Sequence, residues 1–346
     1  RLVLANVRTP EMRRGDLAAQ LAACERGAAR YRELTERRGR TFVEGAVEDV
    51  LAYAERRTRA ALASRVRAGR YEAEDFLDSD GVTEHDVRIR VAVDVSDATF
   101  IADFRGSDAA VPGNVNCPLA VTRSAVFFVV RCLVGEDIPN NGGLHRAVTV
   151  RAPSDSVVNA SWPCAVAAGN VETSQRIADV LFLALSSATD VVAQGQGTMN
   201  NVVFGGDGWT YYETLGGGQG ASSKGTGPSG IHVGMSNTRN TPVEVFELEH
   251  PARIRMYSLR QSSGGVGQYE GGDGVVREYE ALEDMEVSLI TERRRRGPSG
   301  VAGGRSGLPG RNSLNGEVVP GRAEVQMRPG DVLRIETPGG GGWGRD

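Results

Sequence analysis

The chain has 346 residues, with 40 Lys plus Arg against 44 Asp plus Glu, a formal net charge of −4. That balance excludes the basic face of a nucleic-acid binder, while 40% hydrophobic residues suffice for a substantial core. No run approaches the ~20 apolar residues of a membrane span, so the expectation is a cytoplasmic protein that contacts neither nucleic acid nor membrane.

In chain order, residues 11–39 read as an amphipathic helix. Leu17, Leu21, Cys24, Ala28, Tyr31 and Leu34 recur at spacings of three and four. Residues 43–68 repeat the pattern after Gly39, and the short link predicts an antiparallel helical hairpin. The stretch "HDVRIRVAVDVSDATFIADFRGSD" alternates polar and apolar residues about a break at Ser96-Asp97, the pattern of a β-hairpin. An apolar helix over 118–134 and a strand in "RAVTVRAP" follow, then a second buried helix from Val171 to Ser187. Beyond residue 197 the chain turns glycine-rich and strand-like, as in "WTYYETL", "ARIRMYSLR", "GVVREYEAL", "MEVSLITERR" and "DVLRIE". The fold class expected is α+β. A helical hairpin segment occupies 1–80, a mixed α/β core 81–196 and a β-rich glycine-loop region 197–346, together one continuous functional unit. The chain opens on Arg1-Leu2-Val3-Leu4 without an initiator methionine, which reads as the middle of something longer.

Few motifs carry chemistry. "GGGQGA", from Gly216 to Ala221, matches a dinucleotide fingerprint in spelling, but "SSKGTGPSG" follows and cannot supply the required helix. Ser222-Ser223-Lys224 reads as a loop, because adjacent residues do not face one another as nucleophile and base. Lys224 is the only lysine. Cys24, Cys117, Cys132 and Cys164 form no C-x-x-C pair and read as reduced, buried thiols. His85, His145, His232 and His250 are scattered, without the spacing of a zinc site. His232, between glycine loops and near Asn237, is the functional candidate among them.

Two polar segments stand out. "GNVETSQR" opens an otherwise apolar helix with Asn170, Glu172, Thr173, Gln175 and Arg176, and helix N-termini suit anions. "MSNTRNTPVE" sets Asn237, Arg239 and Asn240 together. Asn170, Glu172, Gln175, Arg176, Asn237, Arg239 and Asn240 are expected to converge on one cavity, with Arg176 and Arg239 gripping an anion by forked hydrogen bonds. The closing "TPGGGGWG" is expected to be an ordered loop. Trp343 would be packed, and Gly339, Gly340, Gly341 and Gly342 would lie against a site or a protein–protein contact, their N–H groups free to form an anion-binding nest. Gly216, Gly217 and Gly218 are its glycine-loop counterpart.

Taken in order, "ANVRTPEMRRGDLAAQLAA", "GNVETSQRIADVLFLAL", "MSNTRNTPVEVFELEHPARIRMYSLRQSSGGVGQYEGGDGVVREYE" and "TPGGGGWG" resemble the hydantoinase B family. That family includes B-type subunits of N-methylhydantoinases, the C-terminal half of 5-oxoprolinases, and subunits of acetone and acetophenone carboxylases. The resemblance implies an A-type partner of the actin-like ATPase class, which uses ATP to phosphorylate an amide or carbonyl oxygen. The B-type subunit then helps process the activated species, most simply as a cyclic-amide hydrolase. A ketone carboxylase component is the alternative, and a non-catalytic scaffold is the rival of another class. The family's metal motifs lie upstream of "NVRTP" and are missing here, so no metal ligand is carried over. The chain alone is expected to be inactive and without a cofactor. ATP and a divalent metal would reside elsewhere in the complex, the metal on the missing portion, whether a separate chain carries that portion, it is cleaved off, or it belongs to a longer form of this chain. Two departures bear on specificity: Glu270 stands where the family has a basic residue, and "SSKGTGPSG" replaces an Asp-Gly pair.

Overall fold

The computed structural model describes residues 1–7, 9–96, 99–135 and 137–345. The expected hairpin break at Asp97 and Arg8 of the "NVRTP" segment lie outside the described residues. The fold is α+β, as the alternation of patterns implied. Helices α1 (Pro10–Arg38) and α2 (Arg40–Arg65) are joined at Gly39, whose φ of 82° breaks the helical run. Four strands follow: β1 (Gly69–Leu77), β2 (Val87–Ser96), β3 (Thr99–Asp103) and β4 (Val148–Arg151). They form one sheet in that order, antiparallel except for the parallel β3–β4 pair. Helix α3 (Leu119–Val134) and the short α4 (Gly142–Arg146) lie between β3 and β4 in sequence. Helix α5 (Ser174–Leu185) follows them, entered through a π-helical turn at Gly169–Thr173.

α5 is apolar on nearly every side and packs against α3, β1 and β2. Its Ile177, Val180, Leu181 and Leu185 join Val126, Val129 and Val130 of α3 and Ile89, Val91 and Val93 of β2 in the first core. The remaining elements are β5 (Asn201–Gly206), β6 (Trp209–Thr214), α6 (Val243–Glu249), β7 (Ala252–Arg260), β8 (Gly274–Ala281), β9 (Met285–Ile290), β10 (Arg311–Leu314), β11 (Glu317–Val319), β12 (Arg322–Met327) and β13 (Val332–Glu336). They build two antiparallel sheets, ordered β11-β10-β13-β8-β7 and β12-β9-β5-β6. Alternate residues of each sheet, such as Val202, Phe204, Val287 and Leu289 from one and Tyr279, Leu333 and Ile335 from the other, form the second core.

The two helices form where expected, but α1 is not built into either core. α1 buries no residue, and Leu21, Tyr31 and Leu34 stay exposed. α2 alone reaches the first core, through Ala54 and Leu62. A stripe at spacings of three and four shows that a helix face seeks cover, not which chain supplies it. The thiols differ too: all four are free, but Cys24 and Cys132 are exposed and Cys117 alone is fully buried.

The glycine-rich stretches form a third kind of packing. Extended segments around residues 194, 218, 264–272, 299–308 and 338–344 lie backbone against backbone, joined by main-chain hydrogen bonds rather than apolar side chains. A Cβ on Gly218 would meet the Gly272 carbonyl oxygen at 1.9 Å, and one on Gly340 would meet that of Gln219 at 2.0 Å. Only glycine permits so close an approach. The closing loop is ordered within this stack. Trp343 pairs with Tyr269 through two main-chain bonds of 2.9 and 3.0 Å, and the two rings sit 6.1 Å apart.

Candidate functional site

The seam between the two cores is polar. It starts from the π-helical turn and α5, where Glu172, Gln175, Arg176 and Asp179 recur at helical spacing among mostly apolar residues. All four are buried, so each must find a partner or stay neutral. Arg176 donates from Nη1 to the Phe76 carbonyl oxygen, and Asp75 lies 3.5 Å from the same nitrogen. Arg293 bridges Asp75 and Asp179 from Nη2, at 2.8 and 2.7 Å. Gln194 donates to Asp75 at 2.9 Å. Burial pushes the Asp75 carboxyl up, but Arg293 and Arg176 pull it further down, to about 2.

A second set lies beside the first. Thr198 donates to Glu172 at 3.0 Å. Burial, with Glu292 nearby, pushes Glu172 up to about 8. One of its oxygens, Oε2, has no partner among the described residues. Glu292 accepts from the Asp78 amide and from Arg322, both at 2.8 Å. Half-buried Arg294 donates to neutral oxygens of Asn200 and Asn312, each at 2.8 Å, and desolvation there pulls it down to about 10.

The loop at 232–240 packs on the same helix. Gln175 donates to the Val233 carbonyl oxygen at 3.2 Å and accepts from the Met235 amide at 2.9 Å. His232 is held by the hydroxyls of Ser236 at 2.5 Å and Thr238 at 3.1 Å, and burial lowers its basicity. Asn240 donates to Glu213 at 2.6 Å and accepts from the Tyr257 hydroxyl at 3.1 Å. Glu213 also receives the Tyr279 hydroxyl and lies 3.1 Å from Arg277 Nε. Asn170, Asn237 and Arg239 are exposed.

The structure thus brings Gln175 to the 232–240 loop but turns Arg176 away from it. Arg176 is fully buried and already committed to Asp75 and Phe76, so it forms no fork with exposed Arg239. The anion nest is also absent. The amides of Gly339, Gly340, Gly341 and Gly342 donate to the carbonyl oxygens of Leu308, Gly272, Gln194 and Arg305. Gly217 and Gly218 likewise donate to Ile231 and Pro338, and Gly216 is buried beside them. Sequence reasoning missed Asp75, Glu213, Glu292, Arg293 and Arg322. In "TERRRRG", which follows directly on an alternating strand, Arg293 turns inward while Arg295 and Arg296 stay exposed, a division that four like residues in a row do not signal.

A divalent metal does not fit these residues. His145 stacks on Phe127 with ring centroids 3.8 Å apart, His250 sits among Trp209, Tyr211 and Phe246, and His85 is exposed. Among the described residues no group of three or more His, Cys, Asp or Glu could hold one.

The family model for hydantoinase B/oxoprolinase matches residues 1–346. The chain belongs to the hydantoinase B/oxoprolinase family. It is 41% identical over 347 residues to 5-oxoprolinase 1 of Arabidopsis thaliana, covering 95% of this chain and 27% of the relative. To a putative D-/L-hydantoinase B-type subunit of Pseudomonas sp. (strain NS671) it is 30% identical, covering 98% of this chain and 61% of that one. The ATP-dependent caprolactamase of Pseudomonas jessenii superposes with a TM-score of 0.84 at 25% identity, over 98% of this chain and 62% of that chain. Acetone carboxylase superposes with the same TM-score at 16% identity, over 98% of this chain and 54% of that chain, and so shares the fold. This hydantoinase B/oxoprolinase family chain therefore spans less than two thirds of each of these relatives. Among its described residues no helix is long and apolar enough to cross a membrane.

Proposed function

We propose that the chain contributes the B-type part of an ATP-dependent cyclic-amide hydrolase. It would act on an oxygen-phosphorylated intermediate made with an A-type subunit of actin-like ATPase fold. The observation that carries this reading is the match along nearly the whole chain to a 5-oxoprolinase and to a caprolactamase, two proteins named for cyclic amides. ATP and the divalent metal would be held outside this chain, the metal on a portion that longer relatives possess, whether joined to this chain or separate from it. Within the chain, Gln175 fixes the 232–240 loop from below. That leaves Arg239, with Asn237 and Asn170, open to a phosphorylated substrate or a partner surface, while His232 stays neutral near pH 7 and is oriented by Ser236 and Thr238.

The test is reconstitution with the A-type subunit and the remaining B-type portion, measuring ATP hydrolysis. Stimulation by 5-oxoproline, hydantoin or caprolactam is expected. Stimulation only by a ketone with bicarbonate would replace this reading with the carboxylase. Arg239→Ala should lower kcat/KM about tenfold, the loss of one charge-assisted contact, with assembly intact by size. Unchanged turnover in that variant would favour a scaffold.

A further inference from the structure

Strand β12 is the edge of its sheet, and Arg322 is its first residue. Two cavities, of about 640 and about 390 Å³, lie against this edge, and Gly81 and Arg322 line both. The Arg322 side chain is only 9% exposed. Its Nη2 donates to Glu292 at 2.8 Å. Its Nε and Nη1 find no acceptor among the described residues. The neighbouring Arg294, half-buried, donates from all three of its nitrogens. Glu292 meets Arg322 through Oε1 alone, while its Oε2 accepts from the Asp78 amide. A buried guanidinium with two unfilled donors, bordering open volume, is a waiting cation.

We propose that this cleft binds a small molecule through a carboxylate, with Arg322 as its anchor. The surroundings select the charge. Asp80 and Glu324 line the larger cavity; Asp78, Glu84 and Glu292, facing Arg294 and Arg295, line the smaller. Fixed carboxylates so placed oppose a phosphate dianion more than a singly charged carboxylate. Gly81 keeps the space open: a Cβ there would stand 3.1 Å from Arg322 Cδ. Val82, lining the larger cavity and 71% exposed, offers an apolar contact for the body of the ligand. The inference is read on this chain alone and does not depend on the hydrolase assignment.

The experiment is thermal unfolding of the full chain at pH 7 in acetate or glutarate, against sodium chloride at matched ionic strength, with inorganic phosphate as a third arm. Binding to the folded state raises the midpoint with ligand concentration. Carboxylates should raise it saturably in the native chain, and Arg322→Gln should weaken the apparent affinity at least tenfold. An equal response in the variant, an equal response to phosphate, or no response to carboxylates would each overturn the proposal. Should the variant not fold, a crystal of the native chain soaked in glutarate decides. A carboxylate on Arg322 is expected, and its absence at saturating concentration would overturn the assignment.

Discussion

Glu172 keeps a proton that most glutamates release. Its folded-state value of about 8 lies well above the usual 4.5, because burial and Glu292 disfavour the charge. The stability it contributes is complete below about pH 4.5 and is lost as pH rises through about 8, since the unfolded chain ionises first. Glu172→Gln keeps the acceptor for Thr198 but cannot ionise. We expect the native chain to lose stability from pH 5 to pH 8, and the variant to lose less by on the order of 2 kcal/mol, measured by urea unfolding at both pH values. Equal slopes would show that Glu172 is not the titrating group. The sequence picked out Glu172, Gln175 and Arg176, because charges on an apolar helix are conspicuous. It did not reveal their roles, because their partners Asp75, Thr198 and Val233 lie 26 to 101 residues away and meet them only after folding.

At the scale of elements, periodicity located α2, α3 and α5 and the strands β2 to β4, β6 to β9 and β13, but did not single out α4, α6, β5 or β10 to β12. It missed β1, whose partly exposed positions interrupt the alternation. It did locate α1, but the helix touches α2 and buries none of its apolar stripe among the described residues. The glycine segments were legible only as an anomaly of composition, because extended glycine carries no side-chain pattern. Their packing makes a sharp distinction between glycines. Gly45 lies within α2 with open space around its Cα, so Gly45→Ala should stabilise the fold by about 0.5–1 kcal/mol. Gly340→Ala would drive a methyl group into the Gln219 carbonyl oxygen, which is already bonded to the Gly272 amide, and should cost about 3 kcal/mol or more. Chemical denaturation of both variants checks the contrast, and similar effects at the two sites would mean that the stack yields easily.

For the whole molecule, two apolar cores are separated by a charged seam and flanked by a stack of bare backbone. That stack has a calorimetric consequence. Unfolding an apolar core raises the heat capacity as hydrocarbon meets water, whereas exposing peptide groups lowers it. A region held together by amides therefore contributes little to the heat-capacity increment, or subtracts from it. Scanning calorimetry should give a value per residue below the ~12–15 cal/mol/K typical of globular proteins. A typical value would mean that side chains dominate even here. A smaller increment flattens the curve of stability against temperature, so the terminal "GGGGW" loop and the segments it binds should hold their share of stability on cooling, where hydrophobic cores weaken.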